Sequence, residues 1–109
     1  MYKLNVSGYH GNGGDGLTAG HVINGVSFST PDRDNDKHSS LNCASSSGNG
    51  AGSGWWFRAC LYVNPNGLNY GHAKTGTQVA MVWYYWGNKF ESLKTITMAI
   101  RRADIPGDN

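Results

Sequence analysis

Apolar and polar residues alternate in four stretches of the chain and predict a strand in each. Tyr2-Lys3-Leu4-Asn5-Val6 alternates as a half-buried strand does, which places one over 2–6. Val22 to Phe28 sets Asn24-Gly25 between two apolar runs, a strong hairpin signal, with strand over 22–28. From Gln78 to Trp86, Val79, Met81, Trp83 and Tyr85 share one face, and Ala80, Val82, Tyr84 and Trp86 the other. Apolar residues on both faces predict a strand over 79–84 that is buried on both sides. Leu93 to Arg101 reads as a longer strand with mixed faces, centred on 95–101. The stretches between are loop. Gly8 to Gly20 is rich in glycine, Thr30 to Ser53 is polar, and Asn64-Pro65-Asn66-Gly67 is a turn. Helix signals are weak, with room for one or two turns between Gly54 and Tyr62. The polar tail after Ala103 is expected to fray. Without an internal repeat or a linker, the pattern predicts one loop-rich α+β domain built on a small antiparallel sheet.

Composition sharpens this picture. Sixteen of 109 residues are glycine, only 15% are charged, and Trp55, Trp56, Trp83 and Trp86 supply bulky anchors. Loops with positive φ pinned by aromatic side chains fit such a chain. A domain of this size buries less of its surface than a larger one and gains from a covalent or metal staple. The net charge of +2 is spread over Lys3, Arg33, Arg58, Lys74 and Lys94, which argues against nucleic acid. Arg101-Arg102 is the one basic pair, read as a solvated chain end. No apolar run approaches the roughly 20 residues of a membrane span. No export signal is legible, and one is expected in the parent protein ahead of Met1.

Cys43 and Cys60 enclose sixteen residues rich in Ser and Gly, without C-x-x-C or histidine at ligand spacing. They read as a disulfide and hence an oxidising compartment, with two buried thiols as the alternative. His10, His21, His38 and His72 are scattered on polar loops. No H-E-x-x-H, G-x-S-x-G or paired carboxylate constellation is present, so no enzyme is expected. Asn5-Val6-Ser7 matches the N-glycosylation sequon, but its place in the expected strand 2–6 argues against its use.

Asp32-Arg33-Asp34-Asn35-Asp36 puts a carboxylate at every second position. In a loop, such spacing turns two or three side chains toward one hard cation, and calcium accepts 6–8 oxygens including carbonyls and water. An EF-hand does not fit. Counting from Asp32, the sixth residue is Lys37 in place of Gly, and the twelfth is Cys43 in place of Glu. From spacing, a calcium loop and an acidic turn capping its own amides both stand.

Motifs further along carry a resemblance. Phe28-Ser29-Thr30-Pro31-Asp32-Arg33-Asp34-Asn35-Asp36 is followed by Asn42-Cys43-Ala44 and then Gly54-Trp55-Trp56-Phe57-Arg58-Ala59-Cys60. After these come Asn66-Gly67, Trp83-Tyr84-Tyr85-Trp86, Ser92-Leu93-Lys94 and Met98-Ala99-Ile100-Arg101. In this order they resemble the fibrinogen C-terminal domain, the family of the fibrinogen chains, ficolins, tachylectins and angiopoietins. The likeness runs from about Tyr2 to Arg102 and corresponds to the C-terminal half of that domain.

The resemblance implies a division of residues 1–109, with 1–27 and 91–103 a remnant of the central sheet and 28–90 a distal calcium- and ligand-binding subdomain. It implies one Ca2+ held by the Asp34 and Asp36 side chains and the carbonyls of His38 and Ser40, or Ser39 in place of Ser40. Asp32 would stand behind them. It maps the family disulfide onto Cys43 and Cys60, and a non-proline cis peptide onto Ala59-Cys60. In acetyl-binding members that bond aims the amides of the cysteine and the next residue, here Cys60 and Leu61, at a carbonyl oxygen. The pocket walls depart from the family. Leu61 stands where His is common, Thr77 and Gln78 where a Tyr and a small or acidic residue are usual, and Ala51 near another wall Tyr. Lys89 falls near the basic position of the clotting pocket, with Gln78 near its acidic partner. The expected function is a secreted, calcium-dependent recognition module that binds a glycan or acetylated ligand, or a protein partner, and can oligomerise. The other reading is an interaction module in which calcium and the disulfide only stabilise.

Overall fold

A computed structural model of the protein describes residues 2–20, 22–46, 50, 52–70, 79–86 and 91–102. Among them there is no helix, and six isolated bridges pair described residues with one another. Three of the four expected strands are therefore present only as isolated points of pairing, and the helical part of an α+β fold has no counterpart among the described residues.

The opening stretch pairs over Lys3 and Leu4 and no further. Lys3 bridges Ser27, the Leu4 N–H donates to the Val26 carbonyl at 3.0 Å, and the Gly25 N–H to the Leu4 carbonyl at 2.7 Å. Asn24-Gly25 forms its turn, closed by the Val26 N–H on the Ile23 carbonyl at 3.0 Å. Gly25 sits at φ +84°, a conformation open to glycine. The arms of that turn do not form a hairpin with each other, since the second pairs with the chain start. Ser29 then bridges Trp55 through two mutual hydrogen bonds of 2.9 and 3.1 Å.

The second paired region centres on 79–84, as its two apolar faces predict. Val63 bridges Trp83, Leu68 bridges Ala80 and Val82 bridges Ser92, so the segment has neighbours on both edges. Ala80, Met81 and Val82 are buried. The turn at Asn64 to Gly67 closes through the Gly67 N–H on the Asn64 carbonyl at 3.0 Å. No bridge involves residues 95–101, the other expected strand.

A single apolar cluster joins both regions. Ile23, Val26, Trp55, Trp56, Phe57, Leu61, Val63 and Val82 are among its buried members, and Leu4, Leu17, Phe28, Leu41 and Trp83 pack against it. Burial of one such large side chain contributes about 1.5–3 kcal/mol. Trp56 meets Trp55 and Phe28 edge-on, at 5.0 and 5.1 Å between ring centres. Its indole N–H donates to the Tyr2 carbonyl at 2.8 Å, which ties the chain start to the core.

Candidate functional site

The acidic run begins in a tight turn. Thr30 and Arg33 exchange two backbone hydrogen bonds of 3.1 and 2.9 Å, which pushes Pro31-Asp32 outward. The Thr30 hydroxyl donates to Asp32 at 2.7 Å and lowers the pKa of its carboxyl. Asp32 is thus engaged locally, within its own turn. Asn35, which carried no expectation, anchors the loop. Its N–H donates to the buried Ser29 hydroxyl at 3.0 Å and its side-chain amide to the Phe28 carbonyl at 2.8 Å. An amide within a run of acids is the one sequence sign of that role.

Asp36 organises the second half of the loop. Its carboxylate accepts the His38 N–H on one oxygen and the Cys43 N–H on the other, each at 2.9 Å. Its pKa is raised, foremost by burial; these two donors oppose the rise, while the neighbouring Asp34 adds to it. Asp34 is exposed and accepts the Asp36 N–H at 3.3 Å. The His38 side chain is also structural, since its Nδ1 accepts the Leu41 N–H at 2.9 Å and the Ser40 N–H at 3.3 Å. The sequence suggests a solvated loop histidine there; the signal missed is its position two and three residues before two amides.

This donor set suits a hard cation. Asp34 disfavours the charge of Asp36, which a cation between them would relieve, and two backbone donors hold Asp36 in place. Among the described residues no group of three or more His, Cys, Asp or Glu side chains gathers. Further oxygens would come from carbonyls and water, which calcium accepts.

The loop is fastened to its neighbour by the Cys43–Cys60 disulfide, with S–S 2.03 Å and Cα–Cα 5.6 Å. The two-thiol alternative is excluded, as no free cysteine is present. Beside the bridge, the Lys37 N–H donates to the Arg58 carbonyl at 2.8 Å. The Ala59-Cys60 peptide bond is cis. The Arg58 N–H donates to the Cys60 carbonyl at 2.8 Å, yet the N–H groups of Cys60 and Leu61 donate to no acceptor among the described residues. Cys60 and Leu61 are 6% and 2% exposed. Buried backbone donors are nearly always paired, so two consecutive donors without an acceptor among the described residues mark this spot.

The other expected pocket residues are less telling. Leu61 belongs to the core cluster and Ala59 is exposed. Thr77, Gln78, Lys89 and Ala51 lie outside the described residues. Next to Leu61, Tyr62 stacks on Tyr84 with ring centres 4.1 Å apart, and Tyr85 meets both edge-on. Gly14, at φ +89°, lies where a Cβ would strike the Cβ of Tyr85, and the Trp83 indole N–H donates to its carbonyl at 2.8 Å. Tyr85 thus packs on Gly14 and the neighbouring tyrosines while it stays exposed.

Residues 1–103 match the family model for the fibrinogen beta and gamma chains, C-terminal globular domain. Fibrinogen-like protein 1 of Rattus norvegicus is 39% identical over 116 residues, which cover 96% of this chain and 35% of the rat protein. The fibrinogen beta chain of Gallus gallus is 35% identical over 118 residues, covering 92% of this chain and 26% of its own. The chain therefore spans about a third or less of the length of these relatives. The fibrinogen-like globe domain of human ANGPTL2 superposes with a TM-score of 0.68 at 40% identity, covering 85% of this chain and 40% of that one. A lamprey fibrin D-dimer complexed with the peptide Gly-His-Arg-Pro-amide gives a TM-score of 0.54 at 33% identity, covering 82% and 31%.

Proposed function

Because this chain belongs to the family of fibrinogen C-terminal globular domains, we propose that it is a secreted recognition module whose ligand offers a carbonyl oxygen to the Cys60 and Leu61 amides. The unpaired N–H groups of these two buried residues carry the reading. Leaving a buried donor without an acceptor costs about 1–3 kcal/mol, which a ligand carbonyl recovers. An N-acetylated sugar or another acetyl group supplies that oxygen without a charge to desolvate. Binding, not catalysis, is the chemistry this arrangement supports.

One Ca2+ would be held by the Asp34 and Asp36 carboxylates with the carbonyls of His38 and Ser40 or Ser39. Bound there, calcium supplies a fixed positive charge that neutralises the acid pair. Because Cys43–Cys60 and the Lys37–Arg58 hydrogen bond join the acid loop to the 58–61 segment, ordering of the loop reaches the amides. The lining is the open matter. Leu61, at 2% exposure, packs into the core, which supports a second reading: a protein-interaction module in which calcium and the disulfide only stabilise. A short peptide, the ligand class of the lamprey relative, would then be one candidate partner.

Calorimetric titration with N-acetylglucosamine, in calcium and in chelator, separates the two. The recognition reading expects saturable heat in calcium, weakened by chelator and in Asp34→Asn. No heat in either buffer, with calcium still raising the melting temperature, would leave the interaction module.

A further inference from the structure

Asn5-Val6-Ser7 is the single Asn-x-Ser/Thr sequon of the sequence. Its position in an expected strand speaks against its use, and the structure removes that objection. Pairing of the opening segment ends at Leu4, so Asn5 and Ser7 lie outside it. Both residues are exposed, and neither side chain makes a hydrogen bond to a described residue. Only the Val6 N–H between them is tied down, to the Asn24 side chain at 2.8 Å. The acceptor amide and the hydroxyl two residues on are therefore both open to a modifying enzyme. The Cys43–Cys60 bridge adds the compartment, since disulfides form where secreted chains are glycosylated.

We propose that Asn5 is an N-linked glycan acceptor, an inference that rests on the secreted reading above. The donor is a lipid-pyrophosphate-linked oligosaccharide. The Asn5 amide nitrogen forms a bond to the anomeric carbon, the bond from that carbon to the pyrophosphate oxygen breaks, and the amide gives up one proton. No electron donor or acceptor is required. The glycan would also have a place to act. Asn5 lines a cleft of about 550 Å³ shared with Met98 and Ile100, which are 45% and 73% exposed. A sugar chain rooted there stands over an apolar edge that invites self-association when bare.

The test is the full chain, exported by cultured eukaryotic cells behind a cleavable signal and read by peptide mass spectrometry and thiol titration. The expected result is a glycan on the Asn5 peptide of disulfide-bonded protein, removed by peptide-N-glycosidase without denaturant. It should be lost in Asn5→Gln and Ser7→Ala and kept in Ser7→Thr. Disulfide-bonded protein with bare Asn5 would overturn the glycan and leave the secreted module standing. A glycan found only on chains with free thiols would also overturn it, because the folded protein would not carry it. Exported chain with free thiols and no glycan would overturn both.

Discussion

At the scale of single residues, Asp34 and Asp36 are unlike despite their matching place in the acidic run. Asp36 accepts two backbone N–H groups, whereas Asp34 is exposed with one long contact. Asp36→Asn leaves one donor facing an amide N–H2 and should destabilise the calcium-free protein by about 1 kcal/mol, the low end for a half-buried site. Asp34→Asn keeps an acceptor oxygen and removes a like charge, so calcium-free stability should stay within about 0.5 kcal/mol. Both should abolish most of the stabilisation by calcium, about 2.7 kcal/mol when calcium stands at 100 times its Kd, and with it the rise in melting temperature. Thermal melts of the two variants with calcium and with chelator check this. Asp15 provides a pH signature. The Thr18 hydroxyl, then the Thr18 and Leu17 N–H groups, lower its pKa. A carboxyl with a lowered folded pKa stabilises above its unfolded value and loses that contribution as pH falls through the folded one. The melting temperature of Asp15→Asn should therefore lie below the parent at neutral pH and converge with it in acid. Alternating carboxylates made the acid pair legible from sequence. The roles of Asn35 and the His38 ring were not, because each depends on a backbone partner that only the folded loop brings near.

Among the elements, the strand expectations divide according to how local their partners are. The 79–84 segment was legible at its centre, where Ala80, Met81 and Val82 are buried as two apolar faces demand, while Val63, Leu68 and Ser92 pair its edges. The 22–28 hairpin was half legible. Asn24-Gly25 determines its turn locally, but the choice of Lys3 and Leu4 as partners is made by the core. Pairing beyond Leu4 and within 95–101 failed to appear because alternation reports a possible face and cannot report a neighbour. Close backbone approach is equally hidden from pattern. A Cβ on Gly67 would strike the Ala80 carbonyl and come within 2.6 Å of the Asn64 side-chain nitrogen. Gly67→Ala should cost about 1–3 kcal/mol. Gly13→Ala, which meets nothing within 4 Å, should change stability by less than about 0.5 kcal/mol. Urea midpoints of the two variants make the comparison. The bridge between elements is tested by a Cys43→Ala, Cys60→Ala double variant. Opening a loop of sequence separation 17 should cost about 3 kcal/mol. It should also weaken calcium binding in a direct titration, because among the described residues the Lys37–Arg58 backbone hydrogen bond is then what ties the acid loop to the 58–61 segment.

Over the whole molecule, two regions of sparse pairing share one apolar core, and the acid loop and the unpaired amides sit at opposite ends of one disulfide. That placement would make a bound calcium a lever on the amides without touching them. Recognition as proposed requires that the Cys60 and Leu61 N–H groups receive a ligand oxygen. The direct measurement is a 15N-resolved amide spectrum of the protein titrated with N-acetylglucosamine in the presence of calcium. Saturable shifts are expected at Cys60 and Leu61, larger than those at Gly13 or Gly25, with a weaker response after chelation. Unmoved Cys60 and Leu61 signals at the highest ligand concentration, while Asp36 and His38 still respond to calcium, would contradict this recognition.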